Sequence, residues 1–204
     1  MKKLLVEFMG TFFLVLVVAL SGNPVAIGLI LAAMVYMGGY ISGAHYNPAV
    51  TLGLWVSKKI NRNDAIKYMA VQLLGGLVAS GVYAFIKKDY FLPAPAPHVS
   101  WITAFVVEAL FTFALVSVVH HVAATEKTKG NDYYGLAIGM TLLAAATAGG
   151  PISGGAFNPA VGVAPLIFDL SGISSHLGNM LLYAAGPMTG GAIAGWVYTR
   201  MKNL

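Results

Sequence analysis

Two stretches decide the fold: ISGAHYNPAV at residues 41–50 and ISGGAFNPAV at residues 152–161. Seven of the ten letters agree, and the second stretch begins 111 residues after the first. Each has a Gly-containing lead-in and then an Asn-Pro-Ala triplet: Asn47, Pro48, Ala49 and Asn158, Pro159, Ala160. Proline suits the first turn of a helix and asparagine is a good N-cap, so each triplet reads as a helix start. The apolar runs that follow, about 47–56 and 158–168, are roughly ten residues each, too short to span a bilayer that takes about 20. Both read as half-helices that begin inside a membrane.

Composition supports a membrane setting. The chain of 204 residues is 58% hydrophobic and 9% charged, with a mean hydropathy of +0.76. Soluble domains carry about 25% charged residues. There is no cysteine, which excludes disulfides, thiol nucleophiles and thiolate metal sites. Nothing points to an enzyme, a cofactor or a metal. The pI near 9.4 reads as a bias of membrane loops and not as a nucleic-acid surface, because so little charge is present in all.

Six segments are long enough to cross, near 3–20, 24–41, 64–86, 100–121, 133–149 and 174–199. The first follows Lys2 and Lys3 as a signal peptide would. It has no small-x-small cleavage site and leads directly into another apolar segment, so it reads as a span. With the N-terminus inside, ten of the twelve basic residues, Arg200 and Lys202 among them, fall on inner segments. Only Lys87 and Lys88 fall outside, which places both termini in the cytoplasm.

The repeat is wider than the phrase. Ala26-Ile27-Gly28 returns at 137–139, and Val6-Glu7 is echoed by Val107-Glu108. One channel domain over 1–204 therefore holds two repeats, about 1–88 and 100–204, each with three spans and a half-helix. Three is odd, so the second repeat enters the membrane from the opposite side, with function expected at the midplane. The expected fold is all-α: six transmembrane helices plus two re-entrant half-helices. Two half-helix N-termini then meet with their positive dipole ends and orphan N–H groups. The lead-ins Ser42–Tyr46 and Ser153–Phe157 offer carbonyls, and the side chains of Asn47 and Asn158 offer donors. Such a centre repels cations and protons while neutral hydrogen-bonding molecules pass.

The two triplets, the six spans, Glu7 and Glu108, and the doubled Ser-Gly lead-in resemble the aquaporin and aquaglyceroporin (major intrinsic protein) family over nearly the whole chain. The resemblance implies a homotetramer with a pore in every subunit, set in the lipid of a cytoplasmic membrane, and passive passage of water and small neutral solutes. Glu7 and Glu108 read either as a proton relay or as anchors for the N–H groups of the two loops. Their matched places and the resemblance favour anchoring. His45 could sense pH, whereas the resemblance makes it a loop brace. His120 and His121 read as interfacial residues or as a pH gate, the former being expected. Gln72 and Thr189 read as packing or pore lining, again the former. Gly28, Gly75, Gly76, Gly139, Gly190 and Gly191 are expected at close helix crossings. Pro93–Pro97 reads as a stiff outer loop.

The resemblance also carries over four filter positions, Ile27, Ala146, Gly155 and Val161, by their spacing from Asn47 and Asn158. The family usually has Arg where this chain has Val161. Its water-selective members hold an aromatic, a His, a small residue and that Arg at the four places. Its glycerol-selective branch follows the Arg with Asp, and here Gly162 follows Val161. None of the four side chains in this chain donates a hydrogen bond, so the expected filter is wide and apolar. The expectation is a passive channel for water and glycerol- or urea-like solutes. Alternatives are a channel for ammonia or other gases, a non-conducting structural membrane protein, and a transporter using Glu7 and Glu108 as its coupling-ion site.

Overall fold

The computed structural model describes residues 1–201; Lys202, one of the expected inner charges, lies outside them. The described residues form helices α1 (Lys2–Ser21), α2 (Pro24–Ser42), α3 (Pro48–Val56), α4 (Arg62–Lys87), α5 (Trp101–Val122), α6 (Tyr134–Ser153), α7 (Pro159–Gly162), α8 (Ala164–Phe168) and α9 (Ile173–Met201). One 3-10 turn, Glu126–Thr128, lies between α5 and α6, and the described residues contain no strand.

Local chemistry explains the boundaries. Asn23 Oδ1 accepts from Val25 N at 2.8 Å ahead of Pro24, which needs no partner for an N–H it lacks. Asn61 and Ser100 cap α4 and α5 in the same way, at 2.9 and 3.1 Å. A left-handed glycine closes α1 at Gly22 (φ 55°), and the same device ends the two helices that precede the triplets, α2 at Gly43 (φ 91°) and α6 at Gly154 (φ 90°). The latter two turn the chain at once into a lead-in loop.

Five helices, α1, α2, α4, α5 and α6, are long and apolar enough to cross a membrane. The sixth span expected, near 174–199, is present as α9, but Ser, His, Pro187 and its glycines dilute its apolar character. It takes its place by packing along the length of α5. Likewise α1 packs on α4 and α2 on α6. These crossings are backbone against backbone. A Cβ on Gly28 would lie 2.7 Å from the carbonyl oxygen of Gly139, and one on Gly139 would collide with the carbonyl of Gly28. Without a hydrophobic drive between helices in lipid, such close approach supplies the packing energy.

The half-helix expected over 158–168 is two pieces. Pro165 has no N–H to return to the carbonyl of Val161, so α7 stops at Gly162 and α8 restarts beyond Val163 (φ −100°, ψ −44°). The Pro93–Pro97 stretch is irregular and docks on the end of α6, where Ala96 N donates to Ile152 O at 3.1 Å.

Candidate functional site

The two lead-in loops have the same backbone. Gly43, Ala44 and Tyr46 have φ of 91°, 52° and 51°; Gly154, Gly155 and Phe157 have 90°, 67° and 48°. A left-handed non-glycine residue costs about 1–2 kcal/mol, so the loops need an external hold. Glu7 supplies one. Its Oε1 accepts from Ser42 Oγ at 2.7 Å and His45 N at 3.0 Å, and its Oε2 from Tyr46 N and Gln72 Nε2, both at 2.8 Å. Glu108 repeats the pattern. Its Oε1 accepts from Ser153 Oγ at 2.7 Å and Ala156 N at 3.0 Å, and its Oε2 from Phe157 N at 2.6 Å. Both carboxylates are fully buried, a costly state that these charge-assisted bonds offset.

A second ring of bonds supports the loops. Tyr68 OH donates to Ser42 O at 2.8 Å, and Tyr183 OH to Ser153 O at 2.7 Å. His45 Nδ1 lies 3.1 Å from Thr51 Oγ1, and its ring packs edge-on to Tyr68.

The loops meet through the two asparagines. Asn47 Oδ1 accepts from Ala49 N at 2.8 Å, and its Nδ2 donates to Phe157 O, in the other loop, at 2.9 Å. Asn158 Oδ1 accepts from Ala160 N at 2.8 Å, and its Nδ2 donates to Tyr46 O at 2.9 Å. Each amide thus caps its own helix, ties the other loop and keeps one N–H free. The alanines of the triplets sit against glycines of the long helices. A Cβ on Gly76 would lie 2.6 Å from Ala160 O, and one on Gly191 would strike Ala49 O.

Both asparagines line one cavity of about 20 Å³, room for one or two water molecules at a time. Its wall is otherwise largely aliphatic, with Leu14, Leu31, Leu115 and Leu142 prominent. Of the four filter positions, Ile27, Gly155 and Val161 line it together. Ala146 is buried but is not among the lining residues, whereas Leu142, one turn earlier on α6, is. Leu14 of α1, Leu31 of α2, Leu115 of α5 and Leu142 of α6 line the cavity together with Ile27, Gly155 and Val161. His45 lines both this cavity and a mouth of about 500 Å³ that also includes Asn61, Asp64 and Lys59.

Two further expectations change. Gln72 neither lines the cavity nor merely packs: it is fully buried and bonded to Glu7 and, at 3.0 Å, to Thr51 Oγ1. His120 is not interfacial. It is buried between Val116 O and Ser57 Oγ, each 2.8 Å away, because α9 lays Tyr198 over its ring; His121 alone is exposed. His176, unremarked in the sequence, bonds Asp169 Oδ2 at 3.0 Å beside the end of α8.

The model of the major intrinsic protein family matches residues 1–198. The chain belongs to that family. It is 36% identical to "glycerol uptake facilitator protein-like 6" of Lactiplantibacillus plantarum, over 95% of each chain. It is 34% identical to aquaporin AqpM of Methanothermobacter thermautotrophicus, over 99% of this chain and 98% of that one. The fold matches the aquaglyceroporin of Plasmodium falciparum with a TM-score of 0.81, at 22% identity, over 98% of this chain and 96% of that one. This major intrinsic protein is an integral membrane channel for passive passage of water and small solutes. Its family is one of channels and not of enzymes.

Proposed function

We propose that the cavity between Asn47 and Asn158 is the solute path, and that water and small uncharged polyols such as glycerol pass it in single file. The observation that carries this reading is the pair of asparagine N–H donors set in a thin aliphatic wall. A solute sheds most of its water there and keeps two donors as replacement. The relative from Lactiplantibacillus plantarum, named for glycerol uptake, lends support. Ile27, Gly155 and Val161 form the outer filter, with Ala146 behind them. Val161 in place of the family's arginine removes a charged donor and makes the passage more tolerant of apolar surface. That apolar wall also favours ammonia and other small neutral gases as a second group of permeants.

Glu7, Glu108 and His45 act as loop braces. The hydrogen bonds of Glu7 and Glu108 go to a loop or its support, which is what anchoring asks of them. The two halves insert as inverted repeats, about 1–88 and 100–204, with both termini in the cytoplasm. Four copies assemble in the cytoplasmic membrane, each with its own path.

Stopped-flow light scattering on proteoliposomes, with sucrose and glycerol gradients in parallel, tests the reading. Val161→Arg should lose glycerol flux and keep water flux. Equal glycerol flux in both proteins would remove Val161 from the filter.

A further inference from the structure

The cavity wall is built twice. Leu14 and Val18 of α1 recur 101 residues on as Leu115 and Val119 of α5. Ile27 and Leu31 of α2 recur 111 residues on as Ile138 and Leu142 of α6. In the loops and half-helices, Asn47 and Val50 recur at the same spacing as Asn158 and Val161. Every one of these residues lines the same cavity. The only lining pairs that differ are Ala44 with Gly155 and His45 with Ala156. The glutamates and the exchanged asparagine bonds obey the same correspondence. The outer filter group Ile27, Gly155 and Val161 therefore has an image of like size and polarity: Ile138, Ala44 and Val50.

We propose that Ile138, Ala44 and Val50 form a second, inner constriction that selects solutes as strictly as the outer one, so that the path carries two matched apolar barriers in series. The proposal rests on the cavity being the solute path. An apolar barrier acts by stripping water from the solute, and its height depends on side-chain bulk and polarity. Walls that match in all but these two pairs make barriers of similar height. The one polar difference is His45, which takes the inner side where Ala156 takes the outer, and which joins the inner constriction to the wide polar mouth. Selection by the four transferred positions alone would leave Ile138 and Val50 as bystanders.

Resistances in series add, and this gives a sharp test. Glycerol flux is measured by stopped flow in proteoliposomes for the native protein, Ile27→Ala, Ile138→Ala and the double variant, with folding checked by size exclusion. Opening one of two equal barriers in series raises permeability at most about twofold, while opening both lifts that ceiling. Equal, modest gains in the single variants and a large gain in the double are expected. The proposal is overturned if Ile27→Ala alone yields the whole gain, or if Ile138→Ala adds nothing in either background. The pair Val161→Ala and Val50→Ala, with smaller cavities, follows the same rule and serves if an isoleucine variant fails to fold. A different failure is also visible: if folded native protein and all variants match empty liposomes, the cavity is not the solute path and both readings fall.

Discussion

Glu7 accepts four hydrogen bonds on one buried carboxylate, two of them from the loop N–H groups of His45 and Tyr46. An amide there keeps one oxygen and turns its N–H groups on donors. Glu7→Gln is expected to cost about 1–3 kcal/mol, the desolvation of a buried group left unpaired. Thermal unfolding in detergent should show the loss, together with reduced water flux. Unchanged melting with abolished flux would instead make the carboxylate part of transport chemistry. Asp169 gives a pH test. The Ser171 hydroxyl and the His176 ring hold its carboxyl below the usual aspartate range. A depressed carboxylate stabilises the fold above its ordinary pKa, and that contribution is lost as pH falls through the lower, folded value, below about pH 4. Native protein should therefore melt above Asp169→Asn at neutral pH, and the two should converge in acid. A constant difference across that range would show that the pair contributes nothing through charge.

At the scale of elements, the crossing of α2 and α6 has no room for a side chain at Gly28. Gly28→Leu should destabilise by more than the 1–3 kcal/mol or so typical of overpacking, because the obstacle is backbone. Detergent melting and yield of folded protein would check this; a normal melting point would mean the helices part easily. This crossing was readable in the sequence from the Ala-Ile-Gly echo at 26–28 and 137–139. So were the half-helix starts, since Asn-Pro carries its own capping chemistry. Less was readable where spacing shifts. Tyr68 and Tyr183 do the same work 115 residues apart, one helical turn beyond the 111 of the loops. The glycine pairs 75–76 and 190–191 show the same shift, and were the available signal. Gln72 has Pro187 at that spacing, so its bond to Glu7 is peculiar to one half and had no echo to reveal it. The break at Val163 follows from Pro165, whose missing N–H was in plain view but outweighed by the apolar run. The thinness of the cavity follows from how four long helices converge, which pairwise spacing does not encode.

At the scale of the whole molecule, corresponding residues of the two halves line one cavity, differing only at Ala44 with Gly155 and His45 with Ala156. Orientation is open to a direct check because the chain has no cysteine. In intact cells a membrane-impermeant maleimide should label Lys88→Cys and spare Lys127→Cys, as the loop charges require. The opposite labelling would invert the topology. The central claim is passive conduction of neutral solutes between Asn47 and Asn158. Its most direct test is the flux of the native protein in proteoliposomes under sucrose and glycerol gradients, with and without an ionophore that collapses the proton gradient. Water and glycerol fluxes above those of empty liposomes, rising linearly with gradient and indifferent to the ionophore, are predicted. A saturating flux that vanishes with the proton gradient would contradict the account and make the protein a coupled transporter.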